Sequence, residues 1–89
     1  MGQKEKLIAR CMGIPGDLTY EELARFVGYF GYQEITGGKT GGSRRRFVRP
    51  ADQSILFLHK PHPGNIVGRA TLRDVVNTLK RNGDLDEYT

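Results

Sequence analysis

A segment rich in glycine and arginine is the part of the chain best suited to hold a charged ligand. Four glycines occupy residues 37–42, and Ser43 is followed by three arginines and an aromatic ring, namely Arg44, Arg45, Arg46 and Phe47. Glycine lets backbone N–H groups approach a ligand closely, and the planar arginine fork grips phosphate through several donors. The segment favours nucleic acid as ligand, and the alternative is a flexible β-hairpin loop followed by solvated arginines.

Two histidines are the side chains best suited to proton transfer near neutral pH. His59 and His62 flank Lys60 and a proline. Histidines three residues apart, without a nearby Asp, Glu or Cys, make a poor metal site, so we expect no metal and no other cofactor. Each histidine either serves as an acid–base catalyst or packs structurally under the loop that contains His62. Ser43 has no histidine near it in the sequence, so a nucleophile role has no specific support.

Gly38-Lys39-Thr40 looks like the end of a nucleotide-binding P-loop, but the rest of that motif is missing. The motif needs a glycine five positions before Gly38, where Gln33 stands, and it opens a helix rather than a strand. ATP or GTP binding is therefore disfavoured, and Lys39 is interpreted as a contact for RNA phosphate.

Positive charge is concentrated in the middle of the chain. Residues 39–73 hold eight basic residues and one acid, Asp52, for a net charge of +7. The remainder of the 89 residues holds six basic and nine acidic residues, so the whole chain carries +4. A basic centre between acidic ends is typical of a nucleic-acid binder, although a solvated surface on a small domain gives the same composition.

Length and apolar content indicate one small domain in the cytoplasm. An 89-residue chain has room for one sheet and a few helices. The lone Cys11 excludes an internal disulfide bond. No apolar run reaches the roughly 18 residues of a membrane span, and charged residues interrupt the first turns where a signal peptide would be apolar.

Hydrophobic periodicity predicts the elements that position these groups. The first helix is predicted over residues 4–12. The second begins after an N-terminal cap at Thr19, which forms a capping box with Glu22, and the third begins near Thr71. Gly31 and Gly83 are predicted to end the second and third helices. Strands are predicted over residues 32–36, 43–48 and 54–59.

The resulting fold class is α+β, in the order α-α-β-β-β-α. Strands joined by short connections pair antiparallel, and the helices are expected to cover one face of the sheet. Alternation along the second strand places Arg45 and Phe47 on one face and Arg44, Arg46 and Val48 on the other. On the third strand, His59 shares the face of Ile55 and Phe57.

Residues 18–85 resemble the HicA toxins of HicA–HicB toxin–antitoxin modules, also called YcfA-like mRNA interferases. The matching features are Phe30-Gly31-Tyr32 at a helix end, Gly42-Ser43-x-x-x-Phe47 on a strand, a strand ending in His59, a Pro/Gly/Asn loop, and Ala70-Thr71-Leu72-Arg73-Asp74-Val75-Val76 before Gly83. The resemblance implies an α-β-β-β-α sandwich like a double-stranded-RNA-binding domain over residues 17–89. Residues 1–16 are then an extra N-terminal helical extension.

The resemblance also implies a toxin that binds or cleaves mRNA and a HicB-like antitoxin protein as its partner. The residues expected to bind RNA are Lys39, Gly42, Ser43, Arg44, Arg45, Arg46 and Lys60. The family places a histidine taken to be catalytic directly after its Gly-Ser pair, where this chain has Arg44. Arginine remains protonated, so it can stabilise the charge of a phosphorane but cannot act as the base.

Three functions follow from this departure at Arg44. The protein binds RNA without cutting it, or it is a metal-independent endoribonuclease in which His59 is the catalytic acid or base. In the third, it is a protein-interaction module of the same fold, whose arginines pair with acidic residues of a partner.

Overall fold

The helices and strands of the chain follow one another in the predicted order. The computed structural model describes residues 2–35, 44–61 and 64–88. The helices are α1 (Gln3–Met12), α2 (Tyr20–Gly28) and α3 (Arg69–Arg81), and a short 3-10 helix (Asp86–Tyr88) follows α3. The strands β1 (Gln33–Ile35), β2 (Arg44–Arg49) and β3 (Ser54–His59) lie side by side in that order and pair antiparallel. The prediction of an α+β fold with an antiparallel sheet is confirmed.

Two helix ends differ from the prediction, whereas the N-terminal cap of α2 and the glycine that follows α3, Gly83, agree with it. The capping box is confirmed, because the Glu22 backbone N–H donates to Thr19 Oγ1 at 3.1 Å and the Thr19 N–H donates to Glu22 Oε1 at 2.9 Å. Helix α2 ends at Gly28, and tighter turns carry the chain on to Gly31, where φ is +94°.

None of the helices among the described residues is long and apolar enough to cross a membrane.

The start of α3 corrects the prediction of a helix beginning near Thr71. The helix begins at Arg69, after Gly68, whose carbonyl accepts a hydrogen bond from the Leu72 N–H at 3.0 Å. The chain before it is held extended, because the Val67 N–H donates to the Leu18 carbonyl at 2.7 Å. With that tertiary contact in place, the helix begins two residues earlier than local residue preferences indicate.

One hydrophobic core lies between the helices and one face of the sheet. Phe47 of β2 and Leu56 and Leu58 of β3 point into it, alternating with exposed residues along each strand. Helix α1 adds residues to the same core, namely Leu7, Ile8 and Cys11. Cys11 is fully buried, and burial raises the pKa of its thiol to about 12. The division of the chain at residue 16 stays a prediction, although α1 shares the core of the rest.

Arg49, the last residue of β2, is a buried arginine that joins three parts of the fold. Its Nε and Nη2 donate to the two carboxylate oxygens of Asp52 at 3.0 and 2.8 Å. Its Nη1 donates to Asp84 Oδ1 at 2.9 Å and to the Phe30 carbonyl at 3.2 Å. The guanidinium also lies 4.7 Å from the centre of the Tyr32 ring. Arg49 therefore ties the β2–β3 turn to the end of α3 and to the turn before β1.

Gly31 makes room for the buried Arg49 side chain. A Cβ at residue 31 would lie 3.3 Å from Arg49 Cδ, and the positive φ there disfavours any residue with a Cβ. The glycine therefore leaves space for the Arg49 side chain and also allows the turn that leads into β1.

The Arg49–Asp52 pair predicts a loss of stability in acid. The Arg49 guanidinium holds the pKa of Asp52 well below its ordinary value, and the Ser54 N–H, 3.1 Å away, acts in the same direction. A carboxyl whose pKa is depressed on folding stabilises the fold above its unfolded pKa of about 3.9, and that stability is lost as the pH falls through the folded value. We expect the difference in unfolding free energy between the native chain and Asp52→Asn to shrink steadily from about pH 5 to about pH 2. Urea titrations at several pH values measure it, and a difference independent of pH would contradict the assignment.

Candidate nucleic-acid interface

The arginines of β2 are divided between the two sides of the sheet. Arg45, Phe47 and Arg49 belong to the side covered by the helices, whereas Arg46 is exposed and Val48 half-buried on the other side. The alternation predicted for residues 45–48 is therefore confirmed. The run of three arginines does not form one continuous basic surface, because neighbours on a strand point to opposite faces.

Arg45 lies on the covered side and forms an ion pair with β1. Its Nε is 3.4 Å from Glu34 Oε2, and both side chains are largely shielded from solvent. Arg49 is likewise paired, with Asp52 and Asp84. Two charges of the central block of +7 are thus balanced by carboxylates within the fold. The basic charge that the sheet presents to a ligand is smaller than the composition alone indicates.

Lys60 lies beside helix α2 at the end of the sheet. It follows β3 directly, and its Nζ is 5.7 Å from the centre of the Tyr20 ring. Tyr20 is buried, and its ring is 6.4 Å from the ring of Phe47. Burial is the main cause that raises the pKa of the Tyr20 phenol to about 12, and the nearby Glu34 carboxylate acts in the same direction. The ring therefore remains neutral and can face the ammonium group of Lys60.

The side of the sheet that the helices leave uncovered combines apolar, aromatic and basic groups. We call it the open face, and its described side chains are Gln33, Ile35, Arg46, Val48, Ile55, Phe57 and His59. Arg46 is paired across the sheet with Ile35 on one side and Phe57 on the other. Phe57 is 56% exposed, Ile55 50% and Ile35 40%. None of these described side chains is acidic, so the open face is suited to an anionic ligand with flat apolar parts.

His59 is exposed at the end of β3 and lies directly opposite Arg44 in the β2–β3 register. The prediction that it shares a face with Ile55 and Phe57 is confirmed by their common exposure along β3. Directly opposed residues of antiparallel strands have Cβ atoms roughly 5 Å apart. Position 44, where the resembled family has a histidine, therefore has a histidine as its cross-strand neighbour.

Within residues 2–35, 44–61 and 64–88, no three His, Cys, Asp or Glu side chains come together as a metal site.

Several residues of the predicted site fall outside the described part of the chain. They are Lys39, Gly42, Ser43 and His62. Arg44 is the first residue of β2. The described members are thus divided, with Arg46 and His59 on the open face and with Arg45 and Lys60 toward the helices.

Reasoning from the sequence overlooked Ile55 and Phe57 as surface residues. The signal was present, because residues 55–58 form a continuous apolar run, Ile55-Leu56-Phe57-Leu58, instead of alternating with polar residues. In a sheet with helices on one side only, such a strand must expose every second apolar residue. The open face could therefore have been inferred by combining this run with the predicted layer arrangement.

Three comparisons with known proteins gave no match. The chain matches no protein-family model, no curated protein and no solved structure.

Proposed function

We propose that this chain binds RNA through the open face of its sheet. The observation that carries the proposal is the placement of Arg46 between the exposed apolar side chains of Ile35 and Phe57. A guanidinium supplies phosphate contacts, and an exposed aromatic ring supplies a surface for a base. The absence of acidic side chains among the described members of the open face removes the repulsion that a polyanion would otherwise meet.

The RNA-binding proposal extends to the toxin component of a HicA-like toxin–antitoxin module. The order of its last five main elements agrees with the α-β-β-β-α sandwich of a double-stranded-RNA-binding-domain-like fold. In this proposal the ligand is mRNA, the protein acts in the cytoplasm, and an acidic HicB-like antitoxin covers the basic residues. The motifs around Ser43 and Thr71 support the family assignment. The proposal includes the likeness of the fold to a double-stranded-RNA-binding domain.

Binding to RNA is tested by its dependence on salt and on Arg46. We expect a labelled RNA of about 20 nucleotides to bind at low salt, with affinity that falls steeply as salt rises because counterions are released. Arg46→Ala removes one phosphate contact, so it should weaken binding to all sequences and reduce the slope of log K against log salt by about 0.7 for a single strand. Fluorescence anisotropy across a salt series measures both effects.

The matched control is Arg25→Ala, which removes an exposed arginine from helix α2. It should leave affinity and slope close to those of the native chain. If the native chain bound neither single-stranded nor double-stranded RNA at low salt, the proposal would be wrong. A protein partner retained after complete nuclease digestion would then favour the protein-interaction module.

A second candidate function is metal-independent RNA cleavage. The observation that favours it is the register, which pairs His59 with Arg44 across the sheet. Cleavage needs a group that exchanges a proton with the reacting oxygens and a group that stabilises the charge on phosphorus. His59 is suited to the first role and Arg44 to the second, so a relocated histidine would restore the chemistry that Arg44 alone cannot supply.

A further inference from the structure

We infer that the open face takes single-stranded RNA, with one base stacked on Phe57. The inference rests on the proposed RNA-binding function and narrows it to a substrate class and a contact. It differs from the duplex RNA that a double-stranded-RNA-binding-domain-like fold would imply.

Phe57 has the position and exposure of a stacking platform. Its side chain projects from the edge strand β3 on the open face, 56% exposed, with Ile55 two residues earlier on the same side. Arg46 is its direct partner on β2, so a guanidinium and an aromatic ring project from neighbouring points of the sheet. A nucleotide offers the matching pair, a flat base and a charged phosphate, and stacking tolerates any base because each has a π-face.

A duplex fits this face poorly. In A-form RNA the bases are stacked inside the helix, and the outside presents phosphates and 2′-hydroxyl groups. Those groups would lose water against Ile35, Ile55 and Phe57 without gaining hydrogen bonds, which is unfavourable. An unpaired strand can turn its bases toward these side chains and leave its phosphates to Arg46.

A protein partner is also a poorer match to the size of the face. Strand spacing and strand length give a surface about 10 Å wide and about 20 Å long, on the order of 200 Å². A standard protein interface buries about 800 Å² on each partner. The open face alone therefore falls short of a stable dimer or antitoxin interface, whereas one or two bases cover Ile55 and Phe57 on β3.

The test compares Phe57 variants on three RNA probes by fluorescence anisotropy at fixed low salt. The probes are an unstructured single strand, the same strand with its central bases replaced by abasic sites, and a duplex of that sequence. We expect the single strand to bind more tightly than the duplex. Phe57→Ala should weaken single-strand binding about 5- to 150-fold, as removal of one stacked base does, and Phe57→Trp should retain it.

The abasic strand and Ile66 are the controls. The abasic strand keeps its phosphates, so Phe57→Ala should change its affinity less than twofold. Ile66→Ala removes another exposed apolar side chain, outside the three strands, and should leave all affinities unchanged. Circular dichroism of each variant shows that the fold is retained.

Three results would overturn the inference. Equal affinity for duplex and single strand, with no effect of Phe57→Ala, would leave RNA binding in place but assign it elsewhere. Loss of a nuclease-resistant protein partner in Phe57→Ala, with RNA affinity unchanged, would make the face a protein interface. Failure of all three probes to bind would overturn the proposed function itself and this inference with it.

Discussion

Replacing Arg49 with alanine is expected to lower the free energy of unfolding by about 3–5 kcal/mol, as removal of one partner from a buried ion pair does. The variant would leave Asp84 Oδ1 and the Phe30 carbonyl without the donor that now reaches them. Asp84 Oδ2 already lies buried with no hydrogen-bond partner among the described residues, so this carboxylate depends on Arg49. A small domain has only about 5–15 kcal/mol in total. We therefore expect the variant to lose a substantial part of its stability, which a urea titration followed by circular dichroism measures as a lower midpoint.

The matched control for Arg49 stands three residues earlier on the same strand. Arg46 is exposed on the open face, so Arg46→Ala should change the unfolding free energy by no more than about 0.5 kcal/mol. Arg49→Lys keeps the charge but loses the two-pronged contact with Asp52, and its stability should fall between those of the two alanine variants. Equal urea midpoints for Arg49→Ala and Arg46→Ala would show that the buried contacts contribute nothing.

Under the second candidate function, RNA cleavage, replacing His59 with alanine is expected to slow the reaction by about 100- to 10,000-fold, the usual contribution of a general acid or base. In this reaction the 2′-oxygen attacks the adjacent phosphorus, the 5′-oxygen leaves, and a 2′,3′-cyclic phosphate forms. One proton is taken from the 2′-hydroxyl and one is given to the leaving oxygen. His59 is exposed beside the strand position of Arg44, where it can reach a phosphate held at the open face.

Cleavage is measured on a labelled RNA, with end-group analysis for the cyclic phosphate. His59→Gln keeps polar bulk but cannot exchange the proton, so it should be as slow as His59→Ala while retaining RNA affinity. Ser54→Ala, at the other end of β3, is the control and should cleave at the native rate. Cleavage at an unchanged rate in both His59 variants would remove His59 from the mechanism. A native chain that binds RNA and never cuts it would leave binding as the function.

Much of the architecture follows from local patterns in the sequence. The capping box of Thr19 and Glu22, the bounds of β3 and the glycine after α3 at Gly83 all depend on residues within a few positions of one another. The start of α3 depends on a hydrogen bond between Val67 and Leu18, which are 49 residues apart. Contacts of that kind override a local preference such as that of Thr71 for a helix cap.

The site was harder to predict, because the same residue type has opposite roles on one strand. Counting charge gives Arg45, Arg46 and Arg49 equal weight, yet only Arg46 lies on the open face. The alternation that assigned Arg45 to the covered side would have assigned Arg49 there too, had the strand been extended past Val48. The role of Arg49 further depends on Asp84, which lies 35 residues away.

The burial of Cys11 gives the protein a built-in chemical reporter. The thiolate is the reactive form, and a buried thiol with a pKa of about 12 offers almost none at neutral pH. A thiol reagent therefore modifies chiefly those molecules in which α1 has opened from the core, and its rate measures the free energy of that opening. The chain has no tryptophan, so such labelling supplies a signal that tryptophan fluorescence cannot. A ligand on the open face would slow the labelling by mass action, without touching the cysteine.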